Sequence, residues 1–146
     1  MAINGVIFQQ RGIDHEDDRR TLFTAFNGDV KGFKGAQQVK FADMKDRAFL
    51  GGHAHPYGEL FYLLNGTGTF YLVDVIDLLD GECKLPMELP NPTERLIEQY
   101  QMVRHSMLFI PAYIAHKGEL SADALLVGMT AQPYVSPEHN DLKINF

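Results

Sequence analysis

The sequence predicts an all-β protein, folded as a small barrel or sandwich. Short runs rich in aromatic and β-branched residues recur along the chain, divided by Gly, Pro, Asn and Asp. No long stretch keeps the 3.6-residue apolar period of a helix. With 146 residues the chain has the length of one domain, read here as a single unit over 1–146 with its barrel core over 37–131.

Residues 3–9 read as a first strand and 21–26 as a second. The polar run 14–20 between them reads as a solvated loop or a frayed helical turn. Over 37–42, Gln38 and Lys40 alternate with Val39 and Phe41, the pattern of a half-buried strand. Residues 48–50 lead into Gly51-Gly52. Residues 59–64 and 69–75 are strands joined by Asn65-Gly66-Thr67-Gly68, a hairpin signal because Asn and Gly tolerate the positive φ of such turns. Residues 76–93 hold Gly81, Pro86, Pro90 and Pro92, so they read as an irregular excursion able to fold over a barrel mouth. Residues 96–103, 108–111 and 125–131 complete the strand set. The polar tail from Pro133 is expected to pack across the outside.

The formal net charge of -6 argues against nonspecific nucleic-acid binding, which needs basic surface to displace counterions. It leaves room for an anionic small molecule, since a local cation cluster or a metal outweighs the global sign. Cys83 is the only cysteine and has no intrachain partner. No apolar stretch reaches the length of a bilayer span, and residues 1–10 lack the basic and apolar regions of a secretion signal. The expectation is a cytoplasmic protein acting on a small-molecule substrate, with neither nucleic acid nor membrane as partner.

The segment Gly52-His53-Ala54-His55-Pro56-Tyr57-Gly58-Glu59 carries the chemistry. Residues two apart on a strand share a face, so His53 and His55 can converge on one point. Glu59 has the same parity. His116 ends the apolar run from Pro111, where an inward polar side chain is costly unless bonded. Neutral imidazoles and a carboxylate suit one divalent ion, Zn, Ni, Fe, Mn or Co. Without a thiolate, three nitrogens and one oxygen look like a catalytic site with open positions. His15, His105 and His139 read as isolated structural or exposed residues.

The spacing resembles the cupin superfamily. Its first motif runs G-x5-H-x-H-x3-E-x6-G, and His53, His55, Glu59 and Gly66 match it, with Arg47 where the leading Gly stands. Its second motif runs G-x5-P-x-G-x2-H-x3-N. Pro111 and His116 match, while His105, Tyr113 and Leu120 replace the Gly, Gly and Asn. The resemblance implies a double-stranded β-helix, or jelly-roll barrel, holding a metal through three His and one Glu. It also points to a homodimer, with residues 3–8 as the pairing strand.

Within that superfamily the chain is similar to two kinds of sugar isomerase. Gly52-His53 to His55, Glu59, Tyr62, Gly66, Gly68, Pro111, Tyr113 and His116 look like cupin-type phosphoglucose isomerases, which have a longer gap between the second His and the Glu. Gly52-His53-Ala54-His55 and the short acidic tail look like the small nucleotide-sugar ketoisomerases, which usually lack the Glu. The resemblance implies an isomerase or epimerase of a sugar phosphate or nucleotide sugar, in which a metal chelated by substrate oxygens stabilises an enediolate. Tyr57, Tyr62 and Lys117 lie near the motifs as candidate acid–base groups, and Gln38, Lys40, Arg47 and Tyr113 as candidate substrate contacts. An Fe(II)-dependent dioxygenase and a non-catalytic binding module are the alternatives.

Overall fold

The computed structural model describes residues 3–79, 87–88, 96–136 and 141–146. Their strands are β1 (Ile7–Gln10), β2 (His15–Glu16), β3 (Thr21–Leu22), β4 (Gln38–Asp43), β5 (Ala48–Ala54), β6 (Glu59–Asn65), β7 (Gly68–Asp74), β8 (Met87–Glu88), β9 (Glu98–Met102), β10 (Ser106–Ile110), β11 (Ile114–Leu120), β12 (Leu125–Thr130) and β13 (Leu142–Asn145). One sheet has the order β1-β10-β6-β12-β4 and the other β8-β13-β5-β11-β7-β9, with β2-β3 a separate small hairpin. The fold is the jelly-roll, or double-stranded β-helix, that the motifs imply. Among the described residues no helix is long and apolar enough to cross a membrane.

Period-two alternation sorts the side chains. From β6, Phe61 and Leu63 enter a core shared with Leu108, Ile110 and Leu126 of the first sheet and Phe70, Leu72, Ile114 and Leu120 of the second. Leu60 and Tyr62 point the other way, into a second cluster with Val30, Phe33, Met107, Phe109 and Val127. The central strands of the first sheet, β10, β6 and β12, are thus buried on both faces, roofed on the outside by the segment before β4. Each fully buried large apolar side chain contributes about 1.5–3 kcal/mol, so the two-sided sheet is a rigid wall for whatever the barrel holds.

Three expectations change. Residues 14–20 form part of the β2-β3 hairpin, held by Asp17 accepting from the Arg19 and Arg20 amides. Residues 114–120, not expected as a strand, form β11, which pairs with both β5 and β7. The tail does not merely cover the outside, because β13 joins the second sheet beside β5. Most of the irregular segment over 76–93, with Cys83, lies outside the described residues. So does His139.

Candidate active site at the histidine end of the barrel

A β-bulge aims the first histidine. In the β5-β11 pairing His116 lies opposite His53, yet Lys117 lies opposite Gly51, so Gly52 is an extra residue. Gly51 and Gly52 take positive φ of 94° and 82°. Without the bulge His116 would face Gly52, and His53 would turn to the outer face. Gly51 is further constrained by space, since a Cβ there would lie 2.7 Å from the His116 carbonyl oxygen.

Glu59 shares the parity of Phe61 and points into the barrel, 1% exposed. His55 follows β5, and its ring stacks on Tyr57 with centroids 4.9 Å apart. On β13, Leu142 pairs with Ala54 and Lys143 with His53. One residue earlier, Asp141 falls beside the histidines, its Oδ1 3.1 Å from His55 Nδ1 and its Oδ2 3.9 Å from His53 Nδ1. His55 is thereby set between two carboxylates, because its Nε2 lies 3.0 Å from Glu59 Oε2. Glu59 Oε2 is also 3.9 Å from His116 Nε2, and Glu59 Oε1 is 3.6 Å from Lys40 Nζ. His116 Nδ1 donates to the Ile114 carbonyl, 3.0 Å away, which leaves Nε2 as an acceptor turned toward the group.

Burial, with His116 and His55 nearby, holds His53 down at about 3. Burial likewise lowers His116 to about 4. Burial opposes ionisation of Glu59, but the His55 hydrogen bond and the positive potential of His116 and Lys40 outweigh it, leaving about 2. Near neutral pH His53 and His116 are therefore neutral and Glu59 is ionised. The linkage has a definite sign. Between about pH 4 and 6.5 the unfolded chain takes up protons at His53 and His116 that the folded chain refuses. Stability should fall with acidification across that window by up to about 1.4 kcal/mol per pH unit for each histidine. Glu59 adds to the loss below about 4.5, as its unfolded form protonates. Urea melts from pH 7 to 4 would test this, and a flat midpoint would refute it.

These groups border a cavity of about 110 Å³ lined by Lys40, His53, Glu59 and His116 on one side and mainly by Leu50, Phe61, Phe70 and Leu126 elsewhere. Pockets that engulf a drug-sized ligand run to roughly 300–1,000 Å³, so this one admits the reacting end of a ligand and leaves the rest outside.

The donor set fits a single divalent ion. Ligand atoms of His53, His55 and His116 lie within 4.8 Å of one another. His116 Nε2 is buried with no hydrogen-bond partner among the described residues. An imidazole between two carboxylates must show the second one either another proton or a cation. Asp141 at His55 Nδ1 is the kind of outer carboxylate that orients metal-binding histidines.

Of the other candidates, only Lys40 reaches the cavity lining. Tyr62 is on the outer face of β6, bonded to His105 Nδ1 at 2.9 Å. Its Leu60-like parity, hidden by an all-apolar run, turns it away from Glu59. Lys117 alternates outward from His116 and lies over Phe49, Tyr71 and Phe146. Arg47 pairs with Glu119 on a different groove. Gln38 accepts from Thr130 Oγ1. Tyr113, at φ 65°, is half exposed, and its amide donates to the His55 carbonyl at 2.8 Å. Tyr57 supports His55 by stacking rather than by lining the cavity. Asp141 was missed, although Asp141-Leu142-Lys143-Ile144 carries the polar–apolar alternation of a strand.

No family model matches the chain, and no curated protein matches it. Solved structures do. A 3'-monoepimerase from Streptomyces bikiniensis in complex with dTDP-quinovose superposes with a TM-score of 0.73 at 22% identity, over 96% of this chain and 70% of that one. A TDP-quinovose 3,4-ketoisomerase from Campylobacter jejuni gives 0.70 at 16%, over 95% and 93%. A dTDP-4-dehydrorhamnose 3,5-epimerase from Sulfolobus tokodaii gives 0.69 at 18%, over 94% and 76%. At these identities the likeness establishes the shared fold.

Proposed function

We propose that this protein is an isomerase or epimerase of a nucleotide-linked keto sugar, working by proton transfer at a carbon next to the carbonyl. The observation that supports it most is the meeting of Asp141 with both histidines of the His-Ala-His segment, the first of which, His53, lines the cavity. The architecture shared with nucleotide-sugar epimerases and ketoisomerases supports a nucleotide sugar as the substrate class.

His53 is neutral and borders the cavity, so it is the group able to take the proton. The C–H bond breaks, its electron pair forms the carbon–carbon double bond of an enolate, and the carbonyl π pair moves to oxygen. Asp141, behind His53 Nδ1, stabilises the imidazolium that results. Lys40, the one cation of the lining among the described residues, faces the developing negative charge. Return of the proton to the opposite face gives an epimer; its return to the carbon that bore the carbonyl, with the neighbouring hydroxyl proton passing to the former carbonyl oxygen, gives the positional isomer. His55, Glu59 and His116 would hold a divalent ion, leaving His53 Nε2 free for the proton, and the ion when bound would supply Lewis-acid polarisation of a substrate oxygen. A nucleoside-diphosphate moiety would lie outside the cavity, which is too small to enclose it.

Incubation with TDP-4-keto-6-deoxyglucose in deuterium oxide is expected to place deuterium beside the carbonyl. A panel of nucleotide-linked keto sugars without exchange, for protein of full metal content, would sink the proposal. For the ion, elemental analysis of natively purified protein is expected to show His116→Ala losing most of the metal and His105→Ala keeping it. Equal metal in both would remove His116 from the ligand set. The apolar walls favour a second reading, a metal-dependent oxygenase, which iron in the native protein and substrate-dependent oxygen consumption would support.

A further inference from the structure

We propose that Lys117 is the latch that keeps β13 in register and so sets Asp141 against the histidine pair. The proposal rests on the reading of Asp141 as their functional partner. β13 needs such a device. It meets β5 through two residue pairs, Leu142 with Ala54 and Lys143 with His53. A slip by one residue would turn Asp141 outward and Leu142 toward the histidines. Ile144, 1% exposed among Ala54, Val73, Val75 and Ala115, anchors the outer face, but apolar contact tolerates sliding better than a directed bond does.

Lys117 supplies the directed bond. It follows His116 in sequence and alternates to the outer face of β11, beside the bulge that aims His53. Its ammonium donates to the Phe146 carbonyl. It also lies 4.7 Å from the Phe146 ring centroid, 5.8 Å from that of Phe49 and 5.9 Å from that of Tyr71. A cation held over aromatic faces while bonded to a backbone oxygen recognises one register of the strand. Phe49 is on β5 and Tyr71 on β7, so the latch ties the end of β13 to β5, β11 and β7 of its sheet at once. Lys117 acts through Asp141 and is a positioning residue.

The test compares Lys117→Met with Lys117→Arg in the full chain, the wild type serving as reference. Three readouts are used: the imidazole nitrogen and Nδ1 proton signals of His55 in ¹⁵N-histidine-labelled protein, amide exchange over β13, and the split between kcat and KM. In Lys117→Met the Nδ1 proton signal is expected to disappear and β13 exchange to quicken about tenfold. kcat should drop on the order of 10- to 100-fold with KM little changed. Lys117→Arg, which keeps both the donor and the cation–π contact, should restore all three. A wild-type His55 signal and wild-type β13 exchange in Lys117→Met would overturn the latch. An inactive wild type showing the expected signal changes between variants would instead count against the isomerase reading and leave the latch supported. If Lys117→Met does not fold, deletion of Phe146, which removes both the accepting carbonyl and the ring, takes its place, with the same signals expected to weaken and their persistence again overturning the latch.

Discussion

Replacing His53 with Asn is expected to lower turnover on a nucleotide-linked keto sugar by about 10²- to 10⁴-fold, the usual worth of a positioned acid–base group. The fold should survive, because Asn keeps the β-branch-free geometry and a polar tip facing the cavity. The expectation is sharp for a structural reason. Among the polar residues lining the cavity, Glu59 is engaged by His55 and Lys40. His116 is fixed through Nδ1 to the Ile114 carbonyl. His53 retains a partly exposed edge and a carboxylate behind it. Solvent-deuterium exchange should fall in parallel with turnover, since both read the same proton transfer. If turnover fell while exchange persisted at the wild-type rate, His53 would be acting after proton removal, and the base would have to be sought elsewhere. Asp141→Asn should give a smaller loss of the same kind, because it leaves the imidazole in place and removes only the charge that stabilises its protonated form.

The sequence displayed the metal-type donors more clearly than the way they are held. The matched spacing picks out His53, His55, Glu59 and His116; the three histidines gather within 4.8 Å of one another, and Glu59 reaches His55 and His116. The parity argument for His53 needed one thing that alternation alone does not provide. Gly51-Gly52 reads as a break, but only the register shows that it is a bulge reversing the face of every residue after it. Tyr62 misled because its apolar neighbours do not alternate: a strand buried on both faces looks uniform in sequence. Nearness in sequence groups Lys117 and Arg47 with the site, whereas strand parity turns Lys117 outward and Arg47 pairs with Glu119 on a different groove. Asp141 was overlooked because its role arises from a contact between strands far apart in the chain, and a short polar tail carries few residues with which to announce a strand.

Replacing Phe70 with Ala is expected to destabilise the protein by about 3–5 kcal/mol, the range for truncating a buried aromatic. For a domain of this size that amounts to a fall in Tm of roughly 6–20 °C. Phe70 belongs to the core between the sheets and packs on Phe61 with centroids 5.0 Å apart. The far end of its ring also abuts β11 at Gly118, where a Cβ would come within 2.7 Å of it. The core cannot close over the gap easily, since one of its walls is backbone and the other is a sheet buried on both faces. The void would therefore open onto the cavity that Phe70 helps to line. Phe61, which touches the His116 ring edge-on at 6.0 Å, would lose its support, and His116 would lose part of its own. Thermal melts measure the stability loss, and the metal content of the same samples measures the loosening of His116. A loss of stability without any loss of metal would mean that the Ile114 carbonyl alone suffices to hold the ring.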